Sequence, residues 1–264
     1  MVGVLDPYIR RWGGRGKWIE PFLGSGIVSR HVRLVYPDVP QVVGDANAGL
    51  MEAHRQWMTG RVDPPTMVDV QEERIEWYRS RTYKDMETMS ERDRSLRFLI
   101  CLSSAWGNRW VEDPDGTFKT PREKGMDCNE RLLRTLNRLH GSGWFNERDI
   151  LLTGGWWDTV SVAQPGDLVY LDSPYPETFG YGTGWTLYDW SQMYLWVERA
   201  IGLGIHILVS NPGTLRLLWE KLLPIGELHH TPNQGRKSAN RDEYLGYHGP
   251  TEIQKPLNIM DLFR

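Results

Sequence analysis

Leu168-Val169-Tyr170-Leu171-Asp172-Ser173-Pro174-Tyr175 decides how the rest of the chain is read. A short apolar run bounded by turn formers reads as a buried strand. It stops abruptly in a loop that carries an acid, a turn former and an aromatic. Far upstream, Trp18-Ile19 runs into Glu20-Pro21-Phe22-Leu23-Gly24-Ser25-Gly26, a second strand end of the same make-up. Two such ends in one α/β sheet meet at its carboxyl edge, where ligands bind.

Outward from these two points the chain alternates strands and helices. A helix is expected from Ile27 to Tyr36, a short strand over Gln41-Val42-Val43-Gly44 ending at Asp45, and a helix from Ala48 to about Thr59. The stretch from Asp63 to about Arg148 breaks the rhythm. It is polar and mainly helical, with helices expected over Val68–Arg79, Glu91–Ser104 and Asn129–Leu139. Pro114-Asp115-Gly116 signals a turn, so a hairpin or ordered loop is expected over Glu112–Phe118. The rhythm then resumes. Strands are expected at Ile150–Thr153, Leu168–Leu171 and Ile205–Val209, and helices at Tyr188–Ile201 and Thr214–Leu222. Glu243–Tyr247 is expected as an edge strand, and His229-His230 as part of a surface strand. The fold class is therefore α/β: a Rossmann-like core with a mixed, mostly parallel sheet, interrupted by a mostly helical insertion. Residues 1–62 and 149–264 form the core, and residues 63–148 form the insertion.

The 264 residues suffice for one large domain or a core with an insertion. No apolar run is long enough to span a bilayer, and the N-terminus carries no signal-peptide pattern. Two cysteines, Cys101 and Cys128, are too few for a disulfide scaffold and lack metal-ligand spacing, so a reduced, cytoplasmic setting is expected. Adjacent His229 and His230 offer no metal site either. The net charge of −3 excludes a wholly cationic nucleic-acid binder, and any such contact must come from a local basic face.

Gly24 and Gly26 permit positive φ and close backbone approach where a strand turns into a helix. The pair without a third glycine argues against a dinucleotide fingerprint. Asp45 stands roughly 20 residues beyond the loop, the spacing of an acid that accepts from ribose hydroxyls. It could equally cap the following helix, with Asn47 the other candidate cap. Together these residues point to a nucleoside cofactor without a pyrophosphate.

The second strand end suits a flat substrate bearing an amino group. Such a nitrogen is a poor nucleophile, because its lone pair is delocalised into the ring. A carboxylate from Asp172 and the carbonyl of Ser173 can accept its two N–H bonds and turn the lone pair toward an electrophile. Pro174 donates no N–H and biases Ser173 to an extended backbone. Tyr175 can stack on the base, a contact of about 1–3 kcal/mol. That is the outline of an amino-group methyltransferase.

Glu20–Gly26, Gly44-Asp45-Ala46-Asn47, Val169–Tyr175 and Leu208-Val209-Ser210-Asn211 occur in the order seen in Dam-like DNA adenine-N6 methyltransferases, which the chain resembles over roughly Leu5 to Leu245. Phe98–Leu102, Gly107-Asn108-Arg109-Trp110 and Gly116–Pro121 are similar to that family's target-recognition segment. The resemblance implies S-adenosylmethionine as donor and adenine in double-stranded DNA as acceptor, flipped out of the duplex. It implies catalytic Asp172, Ser173, Pro174 and Tyr175. Donor-side candidates are Tyr8, Glu20, Pro21, Phe22, Gly24, Ser25, Gly26, Asp45, Ala46, Trp156 and Asp172. Candidate DNA contacts are Asn108, Arg109, Lys119, Arg122, Arg236 and Lys237, within a wider basic group that includes Arg94, Arg97 and Lys124. No metal or membrane is implied. A monomer is expected, with a dimer on DNA as the alternative.

Three departures from the family pattern stand out. Ser173 replaces a second proline, so a looser acceptor loop is expected. The family's opening Trp-x-Gly-Gly-Lys has no counterpart ahead of Leu5, and Trp12-Gly13-Gly14-Arg15 lies too near Glu20 to replace it. Gly155-Trp156-Trp157-Asp158 keeps an aromatic but moves the acid, which makes Trp156 the candidate for stacking on the donor. Cytosine N4 as acceptor, another transferred group, and a non-catalytic DNA-binding relative stay open as alternatives.

Overall fold

Every residue of Leu168–Leu171 is buried, with alternate side chains entering two different cores. That strand therefore lies inside a sheet covered on both faces, as a continuous apolar run requires. The computed structural model describes residues 2–105, 111–121, 129–174, 185–220, 222–223, 225–231 and 241–249. Seven strands form one sheet in the order β3-β2-β1-β4-β5-β7-β6. They are β1 (Trp18–Glu20), β2 (Gln41–Asp45), β3 (Ile150–Thr153), β4 (Leu168–Leu171), β5 (His206–Pro212), β6 (Ile225–Thr231) and β7 (Arg241–His248). The first five run parallel, and β7 inserts antiparallel between β5 and β6. The expected mixed, mostly parallel sheet is present.

One face carries α1 (Val2–Trp12) and α2 (Ile27–Val35), whose Leu5, Ile9, Trp12, Val28 and Val32 pack on Trp18, Val43, Tyr170, Leu208 and Leu245. The other carries α8 (Trp156–Val160), α9 (Leu187–Gly202) and α10 (Arg216–Trp219), with Trp190, Met193, Val197 and Trp219 on Ile19, Val169, Leu171 and Val209. Between β2 and β3 the chain is helical: α3 (Ala48–Glu52), α4 (Glu72–Arg79), α5 (Tyr83–Thr88), α6 (Glu91–Ser104) and α7 (Asn129–Leu139). α4, α6 and α7 share a third core with the turn that follows α3, around Trp57, Tyr78, Leu96, Ile100 and Leu136.

Several boundaries differ from expectation. Val68–Arg79 is not one helix, because Gln71 is extended (φ −68°, ψ 153°) and separates a 3-10 turn, Val68–Val70, from α4. The helix expected to reach Thr59 gives way after Glu52 to a π-helical turn, Ala53–Trp57. α5 was not expected, although Thr82 and Asp85 form a reciprocal capping box at its start. β5 continues to Pro212, and the helix expected over Thr214–Leu222 contracts to a 3-10 turn and α10. Glu243–Tyr247 is an inner strand rather than an edge, since β6 supplies the edge beyond it. Glu112 and Phe118 pair antiparallel across the Pro114-Asp115-Gly116 turn, as expected. No helix of the described residues is long and apolar enough to cross a membrane.

Candidate active site at the carboxyl edge of the sheet

β2 and β4 flank β1, so Asp45 and Asp172 leave the sheet at the same edge on either side of Glu20-Pro21-Phe22. Two strand spacings separate them laterally, about 10 Å. Local bonds stitch the strand ends together. The Leu23 N–H donates to Gly44 O at 2.9 Å, and the Gly154 N–H to Asp45 O at 3.2 Å. The Gly24 N–H donates to Asp45 Oδ2 at 3.0 Å, and the Asn47 N–H to Oδ1 at 2.9 Å. Asn47, not Asp45, caps α3, accepting from the Leu50 N–H at 3.0 Å. The Asp45 carboxylate is thus free of capping, and each oxygen keeps a lone pair for hydroxyl donors. Burial raises its pKa, opposed by the N–H groups of Asn47 and Gly24.

Gly24 and Gly26 adopt φ of +50° and +67°, the left-handed region that favours glycine. A Cβ on Gly24 would meet nothing within 4 Å, which leaves room above the loop; one on Gly26 would strike Trp144 at 2.5 Å. His54, fully buried in the π-helical turn, meets the Gly24 carbonyl through Nε2 at 3.0 Å. The Gly24 residue is therefore held from both sides, its N–H by Asp45 and its carbonyl by His54. Burial lowers the His54 pKa to about 4, so the ring is neutral. Ser25 and Ala46 are exposed, and Pro21 is buried.

Glu20 is turned inward. Its carboxylate accepts from Ser29 Oγ and from the Trp18 indole (3.2 Å), and it is 2% exposed. Burial, with a contribution from nearby Asp172, pushes its carboxyl up to about 8. Asp172 is itself raised to about 7, first by burial and then by the Glu243 carboxylate, against a stabilising hydrogen bond from the Tyr170 hydroxyl.

Ser173 is 1% exposed, and its hydroxyl accepts from Asn211 Nδ2 at 3.2 Å. Asn211 also donates to Ser210 O and accepts from the Trp219 indole at 2.8 Å. The buried Ser173 hydroxyl ties the acceptor loop to Asn211 on β5. Pro174 follows, partly exposed. Phe22 packs edge-on against Trp185 at 5.4 Å, and Trp185 stands 6.5 Å from Trp156 and 5.8 Å from Trp190. Trp156 thus belongs to an aromatic wall beside β1 and β4. A cavity of about 820 Å³ adjoins Ala46, Asn47 and Thr153 on one side and Tyr83, Arg94 and Glu112 on the other. A second, of about 590 Å³, lies at the opposite edge around Arg15, Lys17 and Asp167.

Two expectations are corrected. Tyr8 does not join the glycine loop. It sits on the buried face of α1 against Tyr247, ring centroids 5.5 Å apart, and its hydroxyl meets Glu227 of outer strand β6. Arg97 is no surface cation. It is 2% exposed, donates to the carbonyls of Tyr78, Arg81 and Gly116, and pairs with Glu112 at 3.2 Å. Lys119 is on the surface, ion-paired with Asp113 at 2.7 Å. Tyr175, Asn108, Arg109, Arg122, Lys124, Arg236 and Lys237 lie outside the described residues. No metal-binding group of acids, histidines and cysteines occurs among the described residues. Trp185 drew no attention in the sequence, and Tyr170 and Glu243 were read only as strand residues. Ser210 and Asn211 did so only as part of a motif, without a role.

No protein-family model matches the chain. Over 250 residues it is 24% identical to the type II methyltransferase M1.LlaDCHI of Lactococcus lactis subsp. cremoris, an alignment covering 85% of this chain and 82% of that protein.

Proposed function

We propose that the chain is a DNA methyltransferase that transfers a methyl group from S-adenosylmethionine to the N6 amino group of adenine in double-stranded DNA. The observation that carries this reading is the shared sheet edge of the Gly24 loop, Asp45 and Asp172. Similarity to a type II methyltransferase supports the reaction class. The adenine specificity rests on the resemblance of Asp172-Ser173-Pro174-Tyr175 to the adenine-N6 family.

The residues at the edge suit the donor. Asp45 keeps acceptor capacity for a ribose diol, and the space above Gly24 admits a ligand against the main chain. Phe22 and Trp156 offer aromatic surface beside it. When bound, S-adenosylmethionine supplies an electrophilic methyl carbon on sulfur. Asp172 and the Ser173 carbonyl accept the two N–H bonds of the amino group and direct its lone pair at that carbon. The donor, held against the Gly24 loop and Asp45, would give its methyl group to that nitrogen with the sulfur keeping the electron pair of the broken bond, and the proton the nitrogen sheds would pass to Asp172 or to water. No step of this displacement needs a metal ion.

Residues 1–62 and 149–264 would then be the donor-binding core, and residues 63–148 the target-recognition part. Lys119 and the basic residues 109, 122, 236 and 237 would contact phosphates, making affinity fall with salt. Calorimetric titration with S-adenosylmethionine tests the donor half: wild type and Asp172→Ala are both expected to bind. A folded wild type that binds no donor contradicts it.

A further inference from the structure

The π-helical turn Ala53–Trp57 follows α3, the short helix that leads away from Asp45. Such turns recur at functional sites. Two consecutive side chains of this one reach opposite flanks of β2, which lies between β3 and β1. On the β1 flank, His54 Nε2 meets the Gly24 carbonyl at 3.0 Å, and the Gly24 N–H donates to Asp45 Oδ2 at 3.0 Å. On the β3 flank, Arg55 Nη2 donates to the Leu151 carbonyl at 3.0 Å and to Thr153 Oγ1 at 2.6 Å. Thr153 pairs with Asp45 in the strand register, and the N–H of the next residue, Gly154, donates to the Asp45 carbonyl at 3.2 Å. Asp45 is thus bounded on both sides by segments that the turn holds.

β3 is the outermost strand and has a neighbour on one side only. Strand ends at a sheet edge open most readily. Arg55 supplies donors that a further strand would have supplied. The turn is itself anchored away from the sheet. Its Trp57 indole donates to the Leu136 carbonyl of α7 at 3.3 Å, and Trp57 is fully buried in the third core. The Glu52 carboxylate lies 3.9 Å from Arg55 Nη1 and 3.6 Å from Arg94 Nη2, flanking the guanidinium on its other side.

We propose that Arg55 is a positioning residue for donor binding: it fixes the Thr153–Gly154 end of β3 against Asp45 and so aims the Asp45 carboxylate at the ribose of the donor. The inference rests on the donor reading of Asp45 given above and extends it to a residue that no motif singles out. Arg55 acts through the main chain of Asp45, not by touching the donor. Because Trp57 ties the same turn to α7, the donor edge is held in place by the core of the helical segment as well as by the sheet.

Calorimetric titration tests this with S-adenosylmethionine and with its 2′-deoxyribose analogue, on wild type, Arg55→Met, Thr153→Val and the double variant. Arg55→Met keeps most of the stem and loses the donors. Thr153→Val keeps the shape and loses the acceptor. Wild type is expected to prefer the ribose form by about tenfold or more, because a site built to accept from a hydroxyl rejects a ligand that lacks it. Arg55→Met is expected to bind S-adenosylmethionine roughly tenfold more weakly and to bring that preference within about threefold. Thr153→Val should show both changes to a smaller degree, since the bond to the Leu151 carbonyl survives. The double variant is expected to match Arg55→Met, as both changes remove one shared contact. Arg55→Met with wild-type affinity, or with weaker binding of both ligands and an unchanged preference, overturns the positioning role while leaving the donor site intact. A folded wild type that binds neither ligand overturns the proposed function, and the inference falls with it.

Discussion

The Gly24 N–H donates to Asp45 Oδ2 across the gap between β1 and β2, at 3.0 Å. One contact therefore shapes the loop that the donor would lie against and orients the acid that would read its ribose. Asp45→Ala removes both functions. Hydrogen bonds to a charged group are worth about 1.5–3 kcal/mol, so donor affinity is expected to fall roughly tenfold to a hundredfold. Asp45→Asn keeps one acceptor and should lose less. Calorimetry with S-adenosylmethionine compares the two, and equal affinity in Asp45→Ala would separate Asp45 from the donor.

His54→Ala withdraws the group that meets the Gly24 carbonyl and leaves a void beside Trp144 and Phe145. We expect weaker donor binding and a lower melting temperature, with His54→Gln intermediate. Because burial holds the ring neutral down to about pH 4, donor affinity should show no step near pH 6.5 from this residue. Such a step, removed by His54→Gln, would contradict the neutral clamp.

Ser173→Ala deprives Asn211 of one acceptor in a buried setting. The cost expected is about 1 kcal/mol, or roughly 2–4 °C in melting temperature. Methyl transfer should fall more than donor binding, since the acceptor loop alone loses its anchor. A variant with unchanged transfer would show that Asn211 does not position the loop.

Glu20 titrates near 8 when folded, against an ordinary carboxylate value of about 4.5. Between those values the folded chain binds more protons at this site than the unfolded chain, so its contribution to stability falls as pH rises. It is fully favourable below pH 4.5 and lost by about pH 8. Glu20→Gln keeps an acceptor for Trp18 and Ser29 and removes the titration. Thermal melts should show the variant gaining on wild type from pH 5 to about 8. A constant difference across that window would place the Glu20 pKa elsewhere.

Arg97→Ala strips three carbonyls and Glu112 of a buried donor. Losing one partner of a buried ion pair costs about 3–5 kcal/mol. Arg97→Lys should rescue little, because an ammonium cannot span the same carbonyls. Melting curves decide, and a shift under about 2 °C would make Arg97 dispensable.

The inner strand was legible because burial on both faces leaves a continuous apolar run, and Leu168–Leu171 matches its strand to the residue; Ile150–Thr153 also matches, from its apolar run alone, although it is the half-exposed edge strand. The place of Glu243–Tyr247 was not legible. Its pairing with β5 spans more than 30 residues of sequence, and no local pattern records which strand lies beyond it. Tyr8 misled for the same reason: its neighbours Tyr247 and Glu227 are over 200 residues away. Arg97 sat among charged residues on α6, and only the fold of the 111–121 hairpin over it reveals that it is internal. At the candidate site, Asp45 and Asp172 announced themselves by spacing and motif. Ser210 and Glu243 did not, because their partnership is a register between antiparallel strands.

Incubation with unmodified DNA and S-adenosylmethionine tritiated in the methyl group, followed by separation of the nucleosides, tests the central claim most directly. The label is expected on N6 of adenine with wild type, and to be absent with Asp172→Ala despite retained donor binding. Label on cytosine N4 would keep the amino-group chemistry and change the base. A wild-type chain that binds donor and DNA yet labels no base would contradict the account.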